Sequence, residues 1–120
     1  MQTILIVDDS ATMRQMVSFC LKDAGYTVIE AVDGQDALAK LGGARVDLLV
    51  TDLYMPRIDG LELSKRVRAM PQYRFTPILV LTTEALTSRK AEGQAIGVTG
   101  WFVKPFEPAQ LLKVVKRVLA

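Results

Sequence analysis

A handful of polar residues stand where short apolar runs stop, and together they point to one kind of chemistry. Asp8-Asp9 follow Ile4-Leu5-Ile6-Val7, Asp52 follows the run at 46–51, Thr82-Thr83 close the run at 78–82, and Lys104 follows 98–103. In an open parallel sheet, ligands bind in the crevice beyond the carboxyl ends of the strands. Three carboxylates, a hydroxyl and an ammonium would then converge on a single edge. Acids so placed do not serve stability, because two unit charges about 5 Å apart repel by roughly 3 kcal/mol at an effective dielectric near 20. Lys104 offsets part of this, and the surplus calls for a cation. An all-oxygen ligand set favours a hard ion, and a protein shell that leaves positions for water suits Mg²⁺. Magnesium beside a free carboxylate and a lysine makes a phosphoryl-transfer site, and an aspartate can be the nucleophile that forms an acyl phosphate. The plainer reading, that Asp8 and Asp9 only cap a helix, suits a single acid better than an adjacent pair matched by Asp52 and Lys104.

The elements that must hold these residues follow from the hydrophobic periods. Ile4 to Val7 is a continuous apolar run, as expected for a strand buried on both faces. Ser10 or Thr12 can cap a helix with apolar positions Met13, Met16, Val17, Cys20, Leu21 and Ala24, and Gly25 stops it. Residues 26–31 read as a second strand, and Asp33 caps a short helix carrying Ala37, Leu38 and Leu41 that ends at Gly42-Gly43. The third strand spans 46–51, and 52–60 form a loop. Asp59 with Glu62 resembles a capping box for a helix through Leu63, Val67 and Met70, which Pro71 stops. Pro77 sits at the mouth of the fourth strand, 78–82. The segment 86–96 carries few large apolar residues and an internal Gly93, which makes it the weakest helix. A fifth strand at 98–103 and a last helix opened by Pro108 complete the pattern. Five strands alternating with five helices, joined by short right-handed crossovers, predict an α/β fold: an open, doubly wound parallel sheet with helices on both faces.

Composition narrows the function. The chain of 120 residues, half of them hydrophobic and 23% charged, fits one globular domain over 1–120, with no linker, repeat or low-complexity stretch. A net charge of +2 from scattered cations gives no sign of nucleic-acid or membrane binding, and no leader pattern opens the chain, so a cytoplasmic home is the expectation. The absence of histidine removes Ser-His triads and imidazole bases. The lone Cys20 reads as a small core residue, and Met13, Met16 and Met70 as core. Gly42-Gly43 precede a strand, so they read as a helix stop and not a phosphate cradle.

The blocks ILIVDDS, VTDLYMPRIDG, ILVLTTE and VKPF, in that order and at those strands, resemble the receiver domains of bacterial response regulators. TTEA with TGWFVKPF is most similar to stand-alone chemotaxis regulators of the CheY type. That resemblance implies the flavodoxin-like strand order 2-1-3-4-5 and a role for each site residue. Asp52 matches the phosphoacceptor, served by a sensor histidine kinase (CheA-like) or a small acyl phosphate. Asp8 and Asp9 match the Mg²⁺ acids, joined by Asp52 and the main-chain carbonyl of Tyr54. Lys104 matches the lysine that pairs with phosphoryl oxygens, and Lys104-Pro105 a bond that the family keeps cis. Thr82 matches the switch hydroxyl that moves toward Asp52, and Trp101 the coupled aromatic on strand five, where tyrosine or phenylalanine is commoner. Thr83 stands beside the switch hydroxyl where a smaller residue is common, and Tyr54 and Glu84 flank the site at positions that tune water access. The output surface lies on helix four, strand five and helix five, and it would meet a downstream protein such as the flagellar motor switch, with the chain a monomer.

Other readings follow from the same residues. A small Mg²⁺ phosphatase of the haloacid dehalogenase kind would place a DxD pair after the first strand, whereas here the acids are adjacent. A nucleotide binder would need glycines in a loop that here holds two acids. An inert interaction module fits poorly with all five site residues in place. A receiver from another two-component pathway or a phosphate sink shares the same motifs. The pattern ends inside its fifth helix with no helix-turn-helix after it, so a stand-alone protein is expected over a receiver cut from a transcription factor. Self-phosphorylation and autodephosphorylation at Asp52 would then be its only chemistry.

Overall fold

Three fully or almost fully buried apolar runs and two part-buried edge segments alternate with amphipathic segments, and each becomes a strand of one parallel sheet. The computed structural model describes residues 2–43, 45–82, 89–104 and 106–120. In chain order these form β1 (Thr3–Val7), α1 (Ala11–Asp23), β2 (Thr27–Ala31), α2 (Gly34–Gly43), β3 (Leu48–Asp52), α3 (Gly60–Ala69), β4 (Ile78–Thr82), α4 (Arg89–Ile96), β5 (Gly100–Val103) and α5 (Pro108–Leu119). A 3-10 turn at Pro71–Tyr73, for which the sequence reading has no counterpart, lies between α3 and β4. The strand order is β2-β1-β3-β4-β5, all parallel.

Alternation along the strands splits the core in two. Ile6, Val50 and Leu79 lie in one row across the sheet and pack with Val17 and Leu21 of α1 and Leu111 and Val115 of α5. Leu5, Leu49 and Ile78 form the next row and face the opposite side, against Ala37 and Leu41 of α2 and Leu63 and Val67 of α3. A smaller cluster of Leu53, Leu61 and Val80 takes in Ile96 of α4 and Trp101 of β5.

Several boundaries depart from the sequence reading, each for a local reason. β2 starts at Thr27 because the Tyr26 N–H still donates to Leu21 at the end of α1. β3 starts at Leu48 because the Asp47 carboxylate accepts the Thr3 N–H and so replaces a ladder bond. It also runs one residue further than expected, so Asp52 belongs to the strand and pairs in register with Leu81. β5 starts at Gly100 because the N–H groups of Gly97 and Val98 still cap the Gly93 carbonyl, with Gly97 at φ +98°. The expected start of the fourth helix at Leu86 lies outside the described residues.

Met16 is not core as expected: it is 52% exposed, because the sheet takes only the narrow stripe through Val17, Ser18 and Leu21. Ala24 is likewise an exposed cap, not part of that stripe. Cys20 is half-buried, and burial with nearby Asp23 pushes its thiol upward. Gly93 in α4 has a packing role that the sequence does not show. It is buried, and a Cβ there would lie 3.2 Å from the Trp101 ring and 3.3 Å from Leu61.

Candidate functional site

The carboxyl edge of the sheet gathers the acids as the pattern requires. β1 ends one residue before Asp8, which is only 4% exposed, while Asp9 beside it is exposed. One carboxylate oxygen each from Asp8, Asp9 and Asp52 lie within 4.8 Å of one another. Lys104 bridges two of these acids, with Nζ 3.0 Å from Asp8 Oδ2 and 3.3 Å from Asp52 Oδ1. Its backbone is placed by the sheet as well, since the Lys104 N–H donates to the Thr82 carbonyl at 2.7 Å.

Asp8 is held at every polar point. Its N–H donates to Ala31, Oδ1 accepts the Ser10 N–H at 2.9 Å, Oδ2 accepts Lys104, and its carbonyl accepts Arg14 Nη1 at 2.8 Å. Ser10 also caps α1 by accepting the Met13 N–H. Asp52 Oδ1 accepts the Leu53 N–H at 2.8 Å. Burial first, then the neighbouring Asp8 carboxylate, push the Asp52 carboxyl above its ordinary range, and Lys104 only partly counters them. Burial in a site that also holds a second carboxylate thus disfavours the charged form of Asp52. Three acids against one ammonium, all offering oxygen, fit a hard divalent cation.

Thr82 is fully buried at the end of β4, one residue past Leu81, the residue in register with Asp52. Trp101 pairs in register with Val80, and its ring packs into the cluster of Leu53, Leu61 and Val80 over Gly93. Its Nε1 is buried without a hydrogen-bond partner among the described residues. Tyr54 is exposed, with the Arg89 guanidinium 5.8 Å from its ring centre. Thr83, Glu84 and Pro105, singled out from the sequence, lie outside the described residues.

The structure adds residues that motif reading passes over. Gly60 is one: a Cβ there would collide with the Asp52 carbonyl oxygen and lie 3.1 Å from the Leu53 Cα, so only glycine lets the loop return so close to the strand end. The Asp59-Gly60 pair after the loop is the available signal, and by sequence it reads only as a helix start. Arg89 is another, donating to Asp59 Oδ2 at 2.8 Å and so joining the start of α4 to the cap of α3. Burial raises the Asp59 carboxyl, but the Glu62 N–H and Arg89 together outweigh it and hold the group below its usual range. A groove of about 780 Å³, lined by Leu41, Val46, Tyr73 and Phe75 among others, opens at the far end of the sheet and contains none of the acid cluster.

Comparison with known proteins follows the same lines. Residues 4–116 match the family described as the response regulator receiver domain. The chain is 44% identical to chemotaxis protein CheY of Pseudomonas aeruginosa over 92% of its own length and 89% of the relative. It superposes on Vibrio cholerae chemotaxis protein CheY4 with a TM-score of 0.95 and 55% identity, covering 99% of each chain. The receiver domain of the P. aeruginosa sensor histidine kinase PA1611, solved with magnesium in its active-site cleft, is 29% identical, with a TM-score of 0.90 over 98% of this chain and 97% of that one.

Proposed function

Because this chain belongs to the response regulator receiver domains, we propose that residues 1–120 act as a single receiver in which Asp52 takes a phosphoryl group from a sensor histidine kinase. Receivers are phosphorylation-activated signalling switches, and this chain is one. The observation that carries the site assignment is the crowding of Asp8, Asp9 and Asp52 within 4.8 Å beside Lys104.

Each residue then has a task. An Asp52 oxygen attacks phosphorus while the bond from phosphorus to the donor's imidazole nitrogen, or to an acyl oxygen, breaks and the donor leaves with the electron pair. The Leu53 N–H and Lys104 Nζ both meet Oδ1 of Asp52, which fixes the carboxylate from which the attack would come. Magnesium held by Asp8, Asp9, Asp52 and the Tyr54 carbonyl would neutralise the phosphoryl oxygens. Asp9 offers the open carboxylate, since both Asp8 oxygens already accept hydrogen bonds. Lys104, already between Asp8 and Asp52, would turn its ammonium to the arriving phosphoryl oxygens. Hydrolysis of the acyl phosphate by water returns Asp52, and no other turnover is expected.

The switch rests on Thr82 and Trp101. Movement of the Thr82 hydroxyl toward a phosphoryl oxygen changes packing beneath Trp101, whose ring touches both α3 and α4 through Leu61 and Gly93. The result is a population shift at the surface of α4, β5 and α5. The similarity to chemotaxis proteins of P. aeruginosa and V. cholerae supports a chemotaxis role, with a CheA-like kinase upstream and a target such as the flagellar motor switch downstream. We read the protein as a cytoplasmic monomer that binds neither nucleic acid nor membrane; among the described residues no helix is long and apolar enough to cross a membrane.

The test is intact mass and Trp101 fluorescence after adding acetyl phosphate and Mg²⁺, beside Asp52→Asn. One phosphoryl adduct that requires Mg²⁺, is absent in the variant and changes the fluorescence is the expected result. A wild-type chain that gains no adduct refutes the reading.

A further inference from the structure

We propose that Arg14 is the positioning residue of the acid pair, clamping the peptide between Asp8 and Asp9 so that Asp9 is aimed for metal binding. The inference rests on the receiver reading of the same edge. Arg14 lies in the first turn of α1, its side chain 15% exposed. Nη1 donates to the Asp8 carbonyl at 2.8 Å, while Nε pairs with Glu30 Oε1 at 3.2 Å on β2. The Asp8 carbonyl belongs to the peptide that joins the two acids, so this bond fixes the plane from which Asp9 departs.

The two acids are held very differently. Asp8 is fixed through its N–H, both carboxylate oxygens and its carbonyl. Asp9 is exposed, and its carboxylate makes no hydrogen bond or ion pair among the described residues. Its direction therefore depends on the backbone that Arg14 holds. Metal ligands are commonly oriented by partners that do not touch the ion, and losing such a partner typically weakens metal binding about 10–100-fold.

Arginine suits the task where lysine does not. The planar guanidinium reaches a carbonyl and a carboxylate from fixed directions at once, whereas an ammonium is a point charge on a flexible stem. Glu30 is anchored in turn, because Lys40 Nζ donates to its carbonyl at 2.5 Å and pairs with Asp36 at 3.1 Å. The clamp is thus referenced to β2 and α2, elements away from the output face. A simpler account makes Arg14 and Glu30 only a staple between α1 and β2, and the two accounts predict different outcomes.

Mg²⁺ titration by calorimetry on wild type, Arg14→Ala, Arg14→Lys and Glu30→Gln separates them, with thermal melting in EDTA for each. Arg14→Ala is expected to bind Mg²⁺ about 10-fold more weakly, with Arg14→Lys recovering only part of the loss. Glu30→Gln, which keeps the bond to Asp8, should lose less Mg²⁺ affinity than Arg14→Ala whatever its melting temperature. In acetyl phosphate labelling, Arg14→Lys should need more Mg²⁺ for half-maximal rate while its maximal rate stays near wild type. Mg²⁺ affinity unchanged in both Arg14 variants, or tracking melting temperature across all three variants, overturns the proposal. Should Arg14→Ala fail to fold, Arg14→Lys against Glu30→Gln decides by the same criteria. A wild-type chain that neither binds Mg²⁺ nor labels would sink the receiver reading itself, a result distinct from either outcome.

Discussion

Two half-buried ionised groups sit at opposite ends of this sheet, and they are balanced in opposite ways. At the amino ends of β4 and β5, Arg68 donates to the carbonyls of Tyr73 at 3.1 Å, Thr76 at 2.5 Å and Gly97 at 2.9 Å, with no carboxylate partner among the described residues. Burial lowers its pKa, yet three carbonyl dipoles receive the charge and nothing more is required. At the carboxyl ends, Asp8 and Asp52 share the Lys104 ammonium, while the carboxylate of Asp9 beside them adds a third negative charge. One end is electrostatically closed within the chain; the other carries more negative charge than its ammonium offsets, which is where the proposed Mg²⁺ would bind.

That contrast sets the expected size and sign of four measurements. Arg68→Ala removes the guanidinium from three carbonyls, of which Tyr73 keeps the Thr76 N–H, and should lower stability by about 3 kcal/mol in urea unfolding, with Mg²⁺ affinity within about twofold of wild type. A loss below about 0.5 kcal/mol would mean the closed end contributes little. Gly60→Ala forces a Cβ against the Asp52 carbonyl and should cost about 2 kcal/mol while also slowing acetyl phosphate labelling, unlike Arg68→Ala. Labelling at the wild-type rate would show that the loop can shift without disturbing Asp52. Mg²⁺ at about ten times its dissociation constant should raise stability by about 1.4 kcal/mol, an effect expected to be much smaller with Ca²⁺ at equal concentration. Equal stabilisation by Ca²⁺ would argue against a tight octahedral site.

The smallest effect carries the clearest sign. Asp52→Asn removes like-charge repulsion and should stabilise the metal-free fold by about 1 kcal/mol near neutral pH, measured by thermal melting in EDTA. Because the folded pKa of Asp52 is raised above 3.8, ionisation destabilises the fold above that raised value, and the penalty is relieved as pH falls through it. The advantage of the variant should therefore shrink on acidification toward the ordinary carboxylate range. Asp33, Asp36 and Asp59 behave oppositely: their lowered pKa values favour the fold above 3.8, and that support is lost as pH falls through the depressed values. An advantage that stays constant or grows on acidification would remove Asp52 from the set of crowded charges.

Much of this is readable from residue type and spacing. Acids and a lysine at strand ends carry their own signal, because like charges are rarely crowded without a purpose. Their convergence into one cluster of oxygens then follows from the sheet order, which places β1 beside β3. The caps at Ser10, Asp33 and Asp59 are legible because a short side chain reaching its third neighbour's N–H is a local event. Residues whose role depends on distant partners are not. Arg14 has no motif around it, and its meaning comes from Glu30 across the first crossover. Met16 and Val17 are neighbours on a helix, and only tertiary packing tells which of them meets the sheet. Gly93 shows no reason for being glycine until the Trp101 ring is seen against it. Strand ends drift where a side chain or a helix cap replaces a ladder bond, as at Asp47 and Gly97.

The bond between Lys104 and Asp8 spans 96 positions of sequence. As the chain emerges from the ribosome, the first acids therefore appear long before their counter-charge. A nascent chain lacking β5 presents those acids with no ammonium between them, and closing so long a loop is slow and entropically costly. Docking of the last strand is thus the step that completes the charge arrangement at Asp52. A partly synthesised or proteolytically shortened chain would keep the aspartates but lack the cation that faces them, so signalling competence would arrive together with the finished fold.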